Sequence, residues 1–435
     1  MRSSKTVCLH RLGKTRGDEL GAGSFFNNKK VTAGRIVESW SQQTRAAVTG
    51  RHVLAIQDTT EVHFATKPKR RRGLGRCGHG NAYGVLAHVM MAVDADSEAC
   101  LGLVGGQVWN RKSTVTSPLR KRALADRESR RWTETAVQAK EVLSAAAMVT
   151  VISDREGDIY PTWGRVPGEN VHVLNRVMSD RRLAGETDAT LYTVADSFPV
   201  ASGALIALRA RSPAHAARQA RLELRFGAVE IARPVNEKDR DLPARAKLWL
   251  VDVREVDAPE GVEPLHWRLL TTHDVSDIAT AWRIVDWYRM RWWIEQLFRV
   301  SKSQGLGLEE SQLGTADGLV KLSAAAMKAA CIDMQLVQER DGVHGLAASV
   351  VFTEMDIVTI TALNPTLEGK TVRQQNPHPP RSLAWAAWVI ARLGSWHCYG
   401  KPPGPITFHR GIEKFHAIHE GFSLYANLQR EVRIP

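Results

Sequence analysis

Two short apolar runs, each followed closely by an aspartate, constrain this chain most. Val53-Leu54-Ala55-Ile56 leads to Asp58, and Val149-Thr150-Val151-Ile152 leads to Asp154. Short β-branched runs bounded by polar residues suit buried strands. Between them lie two further strand patterns, Gly84–Asp94 and Cys100–Trp109. Asp94-Ala-Asp-Ser97 separates these two with polar residues suited to a backbone reversal, which predicts a hairpin. A basic, helix-favouring stretch over 118–148 comes next. Strand, strand, strand, helix, strand gives a mixed sheet in which a right-handed crossover sets the fourth strand parallel beside the first. Asp58 and Asp154 then emerge at the same, carboxyl-terminal end of neighbouring strands, where open α/β sheets bind their ligands.

Residues 1–23 are polar and glycine-rich and read as a loose arm, after which Thr32 caps a helix reaching about Thr49. Residues 170–272 change character. Arg221, Glu223 and Arg225 alternate with Leu222, Leu224 and Phe226, the pattern of a half-buried strand. Ala246–Glu255 and Leu265–Thr271 are two more strands, joined through Pro259-Glu260-Gly261. This predicts a β-rich insertion between Asp154 and Glu295. Ser276 then caps a long helix running to about Ser303, stopped by Gly305. Residues 318–340 are helical and alanine-rich, Asn364–Pro380 is a polar, proline-rich linker, and a last helical unit contains Leu383–Arg392. The segments expected are 1–50, 51–165, 166–272, 273–345 and 346–435. The fold class expected is α/β, with a mixed sheet, a β-rich insertion and an α-helical C-terminal region.

The length of 435 residues allows two or three domains, and a hydrophobic fraction of 43% fits a globular chain. The formal charge of +13 favours a polyanionic partner, most commonly nucleic acid. An ordinary basic protein is the plain alternative. Cys8, Cys77, Cys100, Cys331 and Cys398 are scattered, with no C-x-x-C pair, which supports neither a zinc ribbon nor a disulfide framework. Reduced thiols in a cytoplasm fit this usage, and Cys77-Gly-His79 and His397-Cys398, which could serve as ligands, read better as loop residues. No apolar stretch nears 18 residues and no signal peptide is recognisable, so a cytoplasmic protein without a membrane partner is expected.

Tyr288, Arg291, Glu295 and Lys302 are spaced as Y-x2-R-x3-E-x6-K. On one helix turning about 100° per residue they fall within an arc of roughly 60°. Two strand-end aspartates and a helical glutamate among cations suit a two-metal phosphodiesterase. Hard oxygen ligands hold the ions, which clamp the attacking and leaving oxygens. Asp58 would bridge both ions, with Asp154 on one and Glu295 on the other. Taken singly, each acid has an ordinary reading. Asp58 would be a turn or helix-cap residue, Asp154 a strand-end partner of Arg155, and Glu295 an i,i+4 partner of Arg291 or Arg299. Arg291 can grip phosphate with its planar fork and Lys302 can act as a point charge. Trp287, Trp292 and Trp293 crowd the same helix and suit either base stacking or a core. Lys67-Pro-Lys-Arg-Arg-Arg72, with Arg76 nearby, could track a DNA backbone or form a solvated loop. Arg120-Lys121-Arg122 and Arg130-Arg131 are weaker versions of the same pattern.

The Tyr-x2-Arg-x3-Glu-x6-Lys string resembles the motif of the insertion-sequence-4 (IS-4) family of bacterial DDE transposases. Leu54-Ala-Ile-Gln-Asp58-Thr-Thr resembles the family's first-aspartate strand, and Asp154-Arg-Glu-Gly-Asp-Ile-Tyr160 its second-aspartate segment. Leu265-His-Trp267-Arg-Leu-Leu-Thr271 resembles the strand before the long helix. These segments occur in order across roughly residues 24 to 425. The resemblance implies an RNase H-like core with a β insertion between the second aspartate and the glutamate. It implies Asp58, Asp154 and Glu295 as the catalytic and metal-binding triad, using two Mg2+ ions or Mn2+ in their place. It implies DNA contacts from Tyr288, Arg291, Lys302 and Arg176, stacking of Trp267 on a flipped base, and Trp292 as a nearby aromatic. It also implies cut-and-paste transposition on double-stranded DNA carrying terminal inverted repeats, by a homodimer in a synaptic complex associated with the bacterial nucleoid. The region around Ser382–Gly394 would join the protomers. One departure stands out: residues 1–50 match only the last part of the family's N-terminal DNA-binding region. A truncated inhibitor that dimerises with an active transposase is therefore the alternative, and a generic RNase H-like nuclease is a further rival.

Overall fold

The computed structural model describes residues 16–64, 73–77, 82–111, 129–185, 189–208, 217–302 and 306–431. The basic runs Lys67–Arg72 and Arg120–Arg122, the first part of the 118–148 stretch, His79, Ser303 and Gly305 lie outside the described residues, as do residues 1–15. The chain is α/β, with a mixed nine-stranded sheet in the order β3-β2-β1-β4-β5-β9-β8-β7-β6. The strands are β1 (His52–His63), β2 (Gly84–Asp94), β3 (Cys100–Trp109), β4 (Met148–Ser153), β5 (Val171–Arg176), β6 (Ser202–Leu208), β7 (Arg218–Ala232), β8 (Arg245–Val256) and β9 (His266–Thr271). The longer helices are α1 (Arg16–Asn27), α2 (Ala33–Glu38), α3 (Thr44–Ala47), α4 (Arg130–Val142), α5 (Tyr160–Arg165), α6 (Leu191–Ser197), α7 (Ile278–Arg289), α8 (Trp292–Lys302), α9 (Ala316–Glu339), α10 (Glu354–Leu367), α11 (Leu383–Leu393) and α12 (Pro405–Glu431). Among the described residues no helix is long and apolar enough to cross a membrane.

Contacts gather into two units. One comprises Met1–Arg51, Thr59–Thr116 and Trp293–Pro435; the other comprises His52–Asp58 and Ser117–Trp292.

In the second unit, β1 and β4 are parallel neighbours with Ile56 opposite Ile152, and β4 pairs in parallel with β5, Ile152 opposite Leu174. Val53, Leu54, Ala55 and Ile56 are all fully buried, as near-continuous apolar runs require when both strand faces are covered. β5 then pairs antiparallel with β9, and β8, β7 and β6 continue the antiparallel run. The sequence pattern does not predict β5, β6 or α6. The Pro259-Glu260-Gly261 turn joins β8 to β9, with Gly261 at φ 77°. The α4 helix buries Trp132, Thr133, Ala136 and Ala139, a stripe at helical spacing.

Two expectations are corrected here. Asp58 does not end its strand, because β1 continues through it to His63. The helix predicted over 276–303 is two helices. Its cap is Asp277 rather than Ser276, with Thr280 N donating to Asp277 Oδ1 at 2.8 Å. The α7 helix ends at Arg289, and Met290 and Arg291 form a turn before α8. The 60° arc therefore does not describe Tyr288 together with Glu295. Glu295 and Lys302, both on α8 and seven residues apart, still share a face.

In the first unit, β2 and β3 form the predicted antiparallel hairpin. Asp94 organises its turn, accepting from Asp96 N and Ser97 N at 3.0 and 2.9 Å and from Arg51 Nη1 at 2.6 Å. The hairpin register shifts between Ala92 and Val93, opposite Gly102 at φ +135°. A Cβ there would lie 2.3 Å from Thr44 Oγ1, whose hydroxyl donates to Leu103 O at 2.8 Å. Glycine is thus required for both the backbone and the close approach of α3.

The α9 helix is buried along most of its 24 residues. Its small side chains let neighbouring elements approach, and two of its lysines hold the N-terminal segment. Lys321 Nζ donates to Phe26 O at 3.2 Å and Asn28 O at 2.9 Å, and Lys328 Nζ donates to Trp40 O at 2.8 Å. Residues 16–23, read as part of a loose arm, belong to α1, and the helix capped by Thr32 stops at Glu38. The linker expected from Asn364 begins later: α10 starts at a Thr353–Asp356 capping box and carries Pro365, which has no N–H for the preceding turn, two residues before its end. The α11 helix, capped by Ser382, is buried at every position except Arg392.

Candidate nucleic-acid and catalytic site

Asp58 and Asp154 stand two residues beyond the register pair Ile56–Ile152. Side chains alternate along a strand, so two parallel neighbours in register direct residues at equal offsets to the same side. Asp154 leaves β4 and caps a short 3-10 turn, Arg155–Gly157, its Oδ1 accepting from Glu156 N at 2.8 Å. A Cβ on Gly157 would meet Ser153 Oγ at 2.2 Å, so the turn folds tightly onto the strand end. Asp158, in the same segment, has a fully buried side chain. It takes Met178 N at 2.8 Å and pairs with Arg181 at 2.9 Å. The Asp154-to-Tyr160 string therefore combines one half-exposed acid with one that fastens the loop.

Asp58 pairs with Arg291, Oδ2 to Nη1 at 2.9 Å, with both side chains less than one-fifth exposed. Arg291 comes after α7, whose Asp277 cap and buried stripe Ala281, Ile284, Val285 and Tyr288 fix that helix. Tyr288 is nearly buried, and burial raises its phenol above the usual value. The positive charges of Arg291 and Arg176 oppose this, and the Asp154 carboxylate reinforces it. The Tyr288 hydroxyl is hydrogen-bonded to Arg176, which also donates to His266 O at 3.0 Å. Burial lowers the Arg176 guanidinium from its ordinary value. Trp267, on β9, meets Tyr288 edge-on with ring centroids 5.6 Å apart.

Six of the residues singled out in the sequence therefore gather within one unit: Asp58 pairs with Arg291, Arg176 and Trp267 touch Tyr288, and the charges of Arg291 and Asp154 reach Tyr288. Trp292 opens α8 and is 38% exposed. Glu295 is half-buried on α8, in the other unit. Lys302 ends α8, where burial lowers its ammonium while Glu309, Glu61 and Cys77 raise it. Those neighbours are protein acids and a thiol, which no sequence spacing attaches to Lys302.

The same unit holds a second group that the sequence does not reveal. The Thr150 hydroxyl lies 2.8 Å from His52 Nε2 and 2.7 Å from His273 Nε2. His172 stacks on His273 at 3.9 Å between centroids, and Trp287 packs against His52 at 4.6 Å. Burial, with His172 and His52 alongside, pushes the His273 imidazole down to about 3. Three histidines far apart in the chain, two on strands and His273 just after β9, carry no spacing rule by which sequence could join them.

Chemically, the Asp58–Asp154 group offers hard carboxylate oxygens beside two guanidiniums, a phenol and an indole. Oxygen donors of this kind suit Mg2+ or Mn2+ rather than a soft metal. Guanidiniums match phosphate, and an indole presents a face on which a base can stack. Compared with models of known protein families, the chain matches none.

Proposed function

We propose that this chain is a DNA-cleaving and DNA-joining phosphodiesterase of the DDE transposase type. The observation that carries the reading is Asp58 on β1, paired with Arg291, and Asp154 just past the end of its parallel neighbour β4, its charge reaching Tyr288. Asp58 and Asp154 would hold divalent metal, with Glu295 as the third carboxylate in a two-ion arrangement. Bound Mg2+, or Mn2+ in its place, would supply an activated water and a charge clamp on the phosphodiester.

The chain's own residues carry the rest. Without metal, Arg291 neutralises Asp58; with DNA, the same planar fork can turn to a phosphate oxygen. Arg176 and Tyr288 form a hydrogen-bonded couple that offers a cation and a hydroxyl to the DNA backbone. Trp267 holds an extruded base by stacking, and exposed Trp292 adds a second aromatic surface. The net charge of +13 supports long-range attraction to a duplex. The RNase H-like designation of the fold, the homodimer and the terminal inverted-repeat substrate belong to this proposal.

The test uses labelled duplexes from the DNA flanking the reading frame. Cleavage should require Mg2+ or Mn2+. Asp58→Asn, Asp154→Asn and Glu295→Gln should each slow it at least about 1,000-fold, because a metal clamp is worth several kcal/mol. Duplex affinity should change much less. Undiminished cleavage by Glu295→Gln would overturn the triad, and failure to bind any terminal duplex would overturn transposition by this chain.

A further inference from the structure

We propose that the end of β1 carries a binding site for a thiophilic divalent cation, Zn2+ or Co2+, formed by Glu61, His63 and Cys77. It lies within the first unit and does not depend on the phosphodiesterase reading. One ligand atom from each of the three residues lies within 4.8 Å of the others. His63 Nε2 and Glu61 Oε2 are 3.1 Å apart. Ligands of one tetrahedral zinc ion stand roughly 3.3–3.6 Å apart, from Zn–N and Zn–O near 2.0–2.1 Å and Zn–S near 2.3 Å. The nitrogen and oxygen are therefore close to coordinating separation, and a modest rotamer change closes the sulfur.

Glu61 and His63 are two apart on a strand, so they project to the same side. Cys77 reaches them from a separately anchored segment. Cys77 N donates to Ala82 O at 3.0 Å, Phe64 N to Tyr83 O at 3.0 Å, and Gly84 N to Gly75 O at 3.1 Å. Cys77 is fully buried, and its Sγ rests 2.4 Å from where a Cβ on Gly84 would sit. The backbone is thus clamped on both sides of the cluster before any ion enters. Around it, Glu309 Oε1 accepts from His63 N at 3.0 Å, which fixes the strand end. Two cations, Lys302 and Arg111, favour the Cys77 thiolate, whereas burial and the Glu61 and Glu309 carboxylates disfavour it. Without a metal the balance keeps the thiol protonated, at about 11. A bound dication supplies the missing positive charge and displaces that proton.

The donor set decides the class of ion. One thiolate, one imidazole and one carboxylate suit Zn2+ and Co2+, whereas Mg2+ prefers an all-oxygen shell. Three protein ligands leave the fourth position to solvent. Such an ion would tie β1 to the 75–77 segment and so connect metal supply to the order of that corner.

The full chain, stripped with a chelator and kept in a reductant that does not bind metal, is titrated with Zn2+ and separately with Co2+. One Co2+ per chain should bind with a thiolate-to-cobalt charge-transfer absorption, which marks the Cys77 site apart from any ion held by carboxylates alone. His63→Gln, at an exposed position that leaves the core intact, should weaken binding at least roughly tenfold. Cys77→Ser should abolish the absorption, while Cys398→Ser should leave it unchanged. Failure of the parent to retain Zn2+, survival of the absorption in Cys77→Ser, or unchanged affinity in His63→Gln would each overturn the site.

Discussion

Replacing His273 with glutamine should relieve the second unit of about 2 kcal/mol of acid destabilisation between pH 7.5 and 5. The imidazole is nearly buried, and its folded-state value lies at about 3, against an ordinary value of 6.5. The folded protein thus holds His273 neutral throughout this range, while the unfolded chain takes up a proton below pH 6.5. Stability from this group is fully present above 6.5. It falls as pH drops, by about 1.4 kcal/mol per pH unit, until the folded value is reached. At pH 5 the unfolded state is favoured by about 1.5 pH units, which gives the 2 kcal/mol. Glutamine removes the titration while its amide can still meet the Thr150 hydroxyl, which now lies 2.7 Å from His273 Nε2. His172, also lowered by burial, contributes acid sensitivity to both proteins, so the comparison between them isolates His273. Urea unfolding monitored by tryptophan fluorescence suits the measurement, since Trp287 lies 5.1 Å from His273. The parent should lose stability more steeply than the variant from pH 7.5 to 5. Parallel pH trends would refute the claim that the pocket excludes the imidazolium.

Two further outcomes concern the first unit. Lys321→Met keeps the buried stem but withdraws the donor shared by Phe26 O and Asn28 O. It should cost about 1–3 kcal/mol and expose α1 to limited proteolysis before the rest of the chain. Gly102→Ala combines a backbone at φ +135° with a 2.3 Å clash against Thr44 Oγ1, and should cost about 2–6 kcal/mol in thermal or urea unfolding. Adding Thr44→Ala should recover the steric part, and a double variant no more stable than Gly102→Ala would contradict this account.

Legibility from sequence tracks the range of the interactions involved. The β2–β3 hairpin is readable to the residue because apolar runs and a polar Asp94–Ser97 turn are local facts about backbone preference. The parallel pairing of β1 with β4 comes from element order and crossover handedness, and it sets Asp58 and Asp154 at equal offsets. The extent of β1 beyond Asp58 is hidden because Asp-Thr-Thr reads locally as a turn or cap, whereas sheet pairing carries the strand to His63. The division of the helix before Glu295 is hidden for a related reason. Helical spacing persists across Met290 and Arg291, and nothing in that spacing records a turn.

Side-chain partners are the least readable. Lys321 and Lys328 look like solvated residues of an alanine-rich helix, yet both donate to backbone carbonyls of the N-terminal segment nearly three hundred positions away. Lys302 feels the charges of Glu309, Glu61 and Cys77, none of which its spacing in the sequence names. Alone, the amino-acid order settled the course of β2 and β3 and the hairpin they close, the parallel neighbour of β1 and the excess of positive charge. Tertiary packing decided where the long helix divides, which cations meet which acids and which histidines lose their water. Periodicity reports a residue's own backbone and face, whereas an ion pair or a desolvated ring depends on chain segments that only the folded core brings together.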